Sequence, residues 1–239
     1  METNTIGNQQ VSRTGNFTSS AISALCSNGR AKGTFGKPFY TYAEEKAFEE
    51  ILGRSLTKEA KADSLEWGNL CERFAYEQVE GLEYNLVSKK RYLHLELPWS
   101  GMPDMISDDH IADIKCPWTI KSFLSLVTTD DLKASNPEYY WQLVSNAILC
   151  NKDKAKLFVF MPRIDQIEAI QELAMEANSV IKYKTAAQLP YIPKDSKIKS
   201  LYCLDIEIPL CDKNLLTDRV REAEIEKNKI VETLKTKLC

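Results

Sequence analysis

The stretch GMPDMISDDHIADIKC, residues 101–116, carries two acids and a lysine at a spacing that suits chemistry. The pattern predicts two short strands around a polar turn, with Asp104 near the start of the first strand and Asp113 towards the end of the second. Antiparallel pairing would bring both carboxylates to the same end of a sheet. Asp113 and Lys115 are two residues apart, so they would project from the same face.

This arrangement would suit metal-assisted hydrolysis of a phosphodiester. Converging carboxylates repel each other, and a hard divalent cation removes that penalty and takes oxygen ligands, including the backbone carbonyl of Ile114. A lysine beside the ion can orient or deprotonate a water, or offset charge on a phosphoryl transition state. The alternative is a solvated strand face, because an acid two residues before a lysine is common on protein surfaces.

The rest of the sequence predicts the elements that would position these groups. Helical spacing or capping signals occur at residues 16–29, 42–56, 64–81, 119–127, 137–150, 164–183 and 212–238. Further strands are predicted at residues 83–90, 92–97, 155–162 and 200–210. This order predicts an α/β protein with a mixed central β-sheet flanked by helices. We expect a flexible tail over 1–11 and a single domain over 12–239 that ends in a long helix.

The composition favours an ordinary globular protein and sets conditions on its partners. Of the 239 residues 44% are hydrophobic, and no run approaches the length needed to span a bilayer. The polar N-terminus lacks the apolar middle of a secretory signal, and the seven scattered cysteines suit reduced thiols, so we expect a cytoplasmic location. The net charge of −3 means that binding a polyanion would need a locally basic surface and a bound cation.

Four stretches in order resemble the phage lambda exonuclease type, the YqaJ-like viral recombinases of the PD-(D/E)xK nuclease superfamily. They are RTGNFTSS, GNLCE, MPD with DIKCPWTIKSF, and YYWQLVSNAIL. The resemblance covers residues 12–162 and implies a restriction-endonuclease-like core. It also implies a Mg²⁺-dependent exonuclease, with Mn²⁺ as a possible substitute, that digests linear double-stranded DNA 5′→3′ and leaves 3′ overhangs for recombination in the bacterial host of a phage or prophage.

The resemblance implies a catalytic role for five residues. Asp104 and Asp113 would bind the metal ion together with the Ile114 carbonyl, and Lys115 would be the catalytic lysine. Two residues on helices would complete this set: Glu72 would hold a second ion or its water, and Gln142 would help to position the attacking water. Without the resemblance, Glu72 and Gln142 are ordinary polar positions on helix surfaces.

The resemblance also implies a site for the 5′ phosphate of the digested strand. Arg13, Thr18, Ser20, Lys121 and Tyr139 match the family positions that contact substrate. Relatives of this type form ring-shaped trimers and act beside a single-strand annealing protein. The resemblance therefore implies a homotrimer and an annealing protein as a partner. The basic loop GRAKGTFGK could contact the DNA backbone in addition.

The chain departs from the family pattern at three positions. Asp113 stands where a glutamate is common, Met102 replaces a serine, and Lys121 replaces an arginine that could bind phosphate through a bidentate fork. These changes weaken the expectation of 5′-phosphate dependence more than that of hydrolysis, and residues 163–198 match no part of the family. Two alternatives remain open: an endonuclease of the same fold, and a non-catalytic DNA-binding module.

Overall fold

The computed structural model describes residues 14–56, 62–80 and 90–238. The predicted tail, Arg13 and nearly all of the strand predicted at 83–90 lie outside these residues. The strands are β1 Phe17–Thr18, β2 Tyr92–Leu93, β3 Trp99–Gly101, β4 Met105–Ile106, β5 His110–Lys115, β6 Lys154–Phe160 and β7 Leu201–Glu207. The helices are α1 Lys37–Leu52, α2 Asp63–Glu80, α3 Ile120–Val127, α4 Leu132–Ser135, α5 Pro137–Leu149, α6 Ile167–Glu176 and α7 Leu210–Leu238.

A mixed sheet with the strand order β4-β5-β6-β7 forms the centre of the fold. Strands β4 and β5 pair antiparallel, β5 and β6 parallel, and β6 and β7 antiparallel. The predicted hairpin is therefore present, with Met105 opposite Ala112. A second small sheet, with the order β1-β3-β2, was not predicted. The α/β class with a mixed sheet flanked by helices is confirmed.

Helices cover both faces of the central sheet. Successive side chains of its strands point to opposite faces, so each face contributes to its own apolar core. On one face Ile111 and Leu157 pack in a cluster that includes Leu143 of α5. On the other face Ile114 and Phe158 pack in a cluster that includes Trp67 of α2. A strand residue on either side of Ile114 must consequently face α5, and those neighbours are Asp113 and Lys115.

Several local predictions were wrong in detail. The apolar spacing of residues 64–81 would bury Leu65 in α2, but this side chain is 55% exposed, and Trp67 is buried instead. The helix predicted at 164–183 ends at Glu176, because Asn178 adopts a left-handed conformation with φ of 52° and a separate 3₁₀ turn follows at Val180–Tyr183. Ser19–Cys26 is helical as predicted, but as a 3₁₀ helix. Among the described residues, no helix is both long enough and apolar enough to cross a membrane.

Candidate active site

Three side chains form a closed polar triangle at the carboxyl end of β5. The Lys115 ammonium pairs with Asp113 Oδ2 and donates a hydrogen bond to Gln142 Oε1 over 3.1 Å. Gln142 Nε2 donates to Asp113 Oδ1, also over 3.1 Å. An ammonium can only donate and a carboxylate can only accept, so the two contacts fix the orientation of the Gln142 amide. Helix α5 therefore holds both catalytic candidates of β5 in place.

Asp104 reaches the same point from the loop before β4. Its Oδ2 accepts a hydrogen bond of 2.7 Å from the Ile114 backbone N–H. The Asp104 carboxylate thus takes the hydrogen-bonding position that a backbone carbonyl of a longer β4 would take opposite β5. The backbone carbonyl of Asp104 accepts from the Tyr76 hydroxyl of α2 over 3.2 Å. Sheet and helix together fix this acid beside Asp113, as the spacing in the sequence predicted.

Burial and neighbouring charges together set the electrostatics of the site. Burial, with the nearby Asp113 carboxylate, raises the pKa of Asp104 to about 8. Burial alone would lower the pKa of Lys115, but the Asp113 carboxylate beside it raises that pKa above its ordinary value. The lysine is therefore protonated at neutral pH, with Asp113 as its counter-charge.

Helix α2 supplies the opposite wall of the site. Glu72 lies near Asp104, since its charge also acts to raise the pKa of that carboxyl. Its Oε1 atom is buried, and its side chain hydrogen-bonds to Tyr76, one helical turn away. Gly68 lies one turn before Glu72, and a Cβ atom built there would meet nothing within 4 Å. The absence of a side chain at Gly68 keeps this wall of the site open.

These residues line a single cleft of about 420 Å³. The predicted residues Glu72, Asp104, Asp113, Ile114, Lys115, Tyr139 and Gln142 all line it. The ring of Tyr139 lies with its centroid 5.1 Å from Lys115 Nζ, which adds a cation–π contact to the ammonium. The remaining lining residues are Ser64, Leu65, Gly68, Asn69, Cys116, Pro117 and Trp118. All five predicted catalytic residues thus border one cleft.

Apart from Tyr139, the predicted 5′-phosphate residues that the structure describes do not line this cleft. Thr18 and Ser20 border a separate cavity of about 840 Å³, which Lys46 also lines. Their hydroxyl oxygens lie 3.4 Å apart. Lys121 is exposed near the start of α3 and lines neither cavity. With Arg13 outside the described residues, the phosphate pocket stays a prediction.

Two structural contributions to the site were missed from the sequence. One is Tyr76, which touches both Asp104 and Glu72; its position four residues after Glu72 was an available signal. The other is a buried link behind the cleft. Ser145 of α5 lies 2.6 Å from the Ser19 hydroxyl, and its hydroxyl accepts from the Trp99 indole over 2.8 Å. Trp99 is 1% exposed and belongs to the core.

The metal-binding capacity of the acids depends on more than side chains. Within the described residues, no three histidine, cysteine, aspartate or glutamate side chains form a group that could hold an ion by themselves. Asp104 and Asp113 would therefore have to be joined by backbone oxygen or water. Ile114, whose backbone borders the same cleft, is the nearest candidate along the chain.

Comparisons with known proteins show which fold this is. No family model and no curated protein matches the chain. A phage-related exonuclease from Haemophilus somnus 129PT is similar in structure, with a TM-score of 0.67 and 17% identity over 94% of this chain and 96% of that one. An alkaline exonuclease (LHK-Exo) from Laribacter hongkongensis gives 0.66 and 15% over 94% of each chain. The same protein in complex with dAMP gives 0.65 and 16% over the same coverage. The chain therefore has the fold of these exonucleases over nearly its whole length, and the resemblance found in the sequence holds at the level of the fold.

Proposed function

We propose that this chain is a divalent-cation-dependent exonuclease that digests linear double-stranded DNA 5′→3′ and leaves 3′ overhangs for phage-type recombination. The observation that carries the proposal is the convergence of Asp104, Asp113 and Lys115 in one cleft. The fold adds support, since both similar proteins are described as exonucleases. LHK-Exo has been solved with dAMP, and a deoxynucleoside monophosphate is the ligand class we propose for this cleft.

The residues present suit a hard cation such as Mg²⁺, with Mn²⁺ as a substitute. Asp104 and Asp113 supply two carboxylates and Ile114 a carbonyl, which are oxygen ligands of the kind that Mg²⁺ prefers, with water completing the shell. Burial and the neighbouring Asp113 carboxylate raise the pKa of Asp104 to about 8, and a bound cation would offset both effects. Glu72 would hold a second ion or its water from the α2 side. When bound, the ion would polarise the phosphodiester as a Lewis acid.

The chain's own groups would position the attacking water and balance charge. The Lys115 ammonium would orient the water and offset negative charge that develops on the phosphoryl oxygens. Gln142 would keep Lys115 and Asp113 at their present separation through its two hydrogen bonds. Because these groups are already in position, little reorganisation would be needed when DNA binds.

Substrate contacts outside the cleft belong to the same proposal. Arg13, Thr18, Ser20 and Lys121 would hold the 5′ phosphate, and Tyr139 would line the path of the strand. We further propose a homotrimer that works in the cytoplasm beside a single-strand annealing protein. The phosphate contacts, the trimer and the annealing protein rest on the family resemblance alone.

The decisive experiment follows nucleotide release from defined DNA. Linear duplexes with and without a 5′ phosphate, and a closed circular duplex, are incubated with the protein and Mg²⁺. We expect mononucleotides from the linear duplexes and an intact circle. Asp104→Asn and Lys115→Ala should each lower the rate at least about 100-fold, the usual scale for a group that acts on proton or charge transfer.

The matched control is Asp205→Asn, on the exposed part of β7, where the side chain is 78% exposed and pairs with Lys156. This variant should retain the wild-type rate. Nicking of the closed circle would identify an endonuclease instead. Binding of DNA without release of nucleotides, with either divalent cation, would identify a non-catalytic module.

A further inference from the structure

The segment between β6 and β7, residues 161–200, concentrates positive charge in its second half. Its second half contains five lysines and a single acid, Asp195, in a chain whose net charge is −3. The lysines are Lys182, Lys184, Lys194, Lys197 and Lys199. A locally basic surface is what a polyanion-binding protein of acidic composition requires.

This segment leaves the sheet and rejoins it at the end of the strands where the cleft lies. Lys115 pairs with Val159 in the parallel ladder of β5 and β6, so both strands end at the same edge. Phe160, at the end of β6, pairs with Leu201, where β7 begins. Everything between them therefore starts and finishes beside the catalytic end of β5.

The middle of the segment packs directly on the helix that forms one wall of the cleft. The Val180 backbone N–H donates to Glu66 Oε2 over 2.9 Å, and Lys184 pairs with Asp63 over 2.6 Å. Both acids belong to the first turn of α2, and Ser64 and Leu65 between them line the cleft. The segment is thus docked at the mouth of the site.

The last part of the segment is held in a defined shape although its lysines are exposed. The Arg163 guanidinium donates to the carbonyls of Lys194 over 2.8 Å and of Ser196 and Ile198 over 3.2 Å each. Lys194, Lys197 and Lys199 are exposed, and none of the three pairs with an acid in the part of the chain that the structure describes. Three uncompensated charges are therefore presented on a fixed backbone.

The same segment also exposes an aromatic side chain, beside Lys182. Tyr183 is 77% exposed, and the Lys182 ammonium lies 4.8 Å from its ring centroid. Exposed aromatic rings among basic groups are typical of surfaces that bind nucleic acids, where bases stack on the rings and amines contact phosphates. The same amines could bind an acidic protein, but such a partner would not require the exposed Tyr183 ring. The ring and the amines together therefore favour DNA as the ligand.

We propose that Lys194, Lys197 and Lys199, which we call the lysine loop, bind the sugar-phosphate backbone of the DNA that enters the cleft. The inference rests on the proposed function for the identity of its ligand. Contacts of this kind position the duplex without reading its sequence, and they weaken steeply as salt rises. The lysine loop should therefore govern binding and leave the chemical step unchanged.

The test compares the salt dependence of DNA binding in the wild type and in the triple variant Lys194→Gln, Lys197→Gln, Lys199→Gln. Binding of a fluorescent linear duplex is measured in EDTA between about 50 and 200 mM salt. The logarithm of the association constant falls linearly with the logarithm of the salt concentration, and each lost phosphate contact makes this slope shallower by about 0.9. The slope of the triple variant should therefore be shallower by about 2 to 3. With Mg²⁺, KM should rise at least about tenfold while kcat stays within about twofold.

The matched control removes the same charge from the far end of α7 through Lys229→Gln, Lys235→Gln and Lys237→Gln. This variant should keep the wild-type slope, and thermal unfolding should show that both triple variants are folded. An unchanged slope in the lysine-loop variant, or an equal decrease in both, would overturn the inference.

The outcomes separate this inference from the proposed function. If the wild type releases nucleotides but the lysine-loop variant binds DNA normally, only the inference fails. If the wild type binds DNA through the lysine loop but releases no nucleotides, only the proposed exonuclease function fails.

Discussion

Gln142 Nε2 lies 3.1 Å from Asp113 Oδ1, so a helix amide and a strand carboxylate meet across the packing boundary between α5 and β5. The same amide accepts from Lys115 through its other atom. Gln142 therefore contacts both charged groups of the strand, and a change at this position displaces both. This relationship gives the first prediction.

Replacing Gln142 with alanine should lower kcat by about 10- to 100-fold, because misplacement of catalytic groups by about 1 Å costs rates on that scale. Gln142→Glu should be worse, since it sets a carboxylate against Asp113. Steady-state nucleotide release from linear duplex measures both. Gln188→Ala, in an exposed 3₁₀ turn away from the cleft lining, is the control and should behave as wild type. Rates for Gln142→Ala and Gln142→Glu that equal the rate of the control would contradict the positioning role of Gln142.

Lys115→Met should destabilise the protein by about 3 kcal/mol, because it leaves Asp113, which is 1% exposed, without its counter-charge. Added Mg²⁺ should raise the melting temperature of this variant more than that of the wild type, since a cation would replace the lost positive charge. Differential scanning fluorimetry with Mg²⁺ and with EDTA tests this. The double variant Asp104→Asn/Asp113→Asn, which lacks both carboxylates, is the reference. A melting temperature of Lys115→Met that responds to Mg²⁺ no more than that of this reference would argue against cation binding at these acids.

Two glycine-to-alanine changes should have opposite effects on stability. A Cβ at Gly101 would lie 2.2 Å from Ser19 Oγ and 2.4 Å from Asn146 Oδ1, so overpacking should cost about 1–3 kcal/mol. A Cβ at Gly68 meets nothing within 4 Å, and alanine in this helix should stabilise by up to about 1 kcal/mol. Gly68→Ala should nevertheless reduce activity, because it narrows the cleft. Denaturant unfolding and nucleotide release together distinguish the two effects.

Asp212 should make stability sensitive to acid. Its carboxylate accepts from Lys133 and Tyr140 over 2.8 and 2.6 Å. Burial would raise the pKa of Asp212, but these hydrogen bonds outweigh it and hold that pKa below its usual value. A lowered pKa in the folded state means that the stabilisation is complete above the unfolded value of about 3.9 and is lost as pH falls through the folded value.

Asp212→Asn should therefore lower the free energy of unfolding by about 2 kcal/mol at neutral pH, in line with hydrogen bonds to charged groups. The difference from wild type should shrink below a pH of about 4. Urea unfolding across this pH range is the measurement. Asp218→Asn, an exposed acid on the same helix, serves as the control. A difference that stays constant down to pH 3, about one unit below the usual value, would contradict the assignment.

The arrangement of Asp104, Asp113 and Lys115 was predictable because it depends only on local rules. Alternation places Asp113 and Lys115 on one face, and a short polar turn sets the pairing that brings Asp104 alongside. Nothing in those rules could reveal the contact between Tyr76 and Asp104, which depends on how α2 crosses the sheet. The pairing of Gln142 with Asp113 likewise depends on long-range packing; only the family resemblance pointed to Gln142.

The errors have equally physical causes. Leu65 fits the apolar spacing of α2, but it lies in the first turn, which extends past the core and over the cleft. The segment 164–183 has the periodicity of one helix, yet Asn178 takes up the left-handed conformation that ends a helix. The lysine loop had no matching family pattern, and its position became evident only from the pairing of Phe160 with Leu201.

That pairing also means that residues 161–200 form a closed appendage on an otherwise complete strand ladder. Exchanging its outer part for a different sequence would leave the register of the catalytic strand untouched, provided that the inward side chains Ile167, Ile170, Ile181 and Leu189 are kept. For the proposed exonuclease, this separation means that DNA binding and phosphodiester hydrolysis could be engineered independently within one chain.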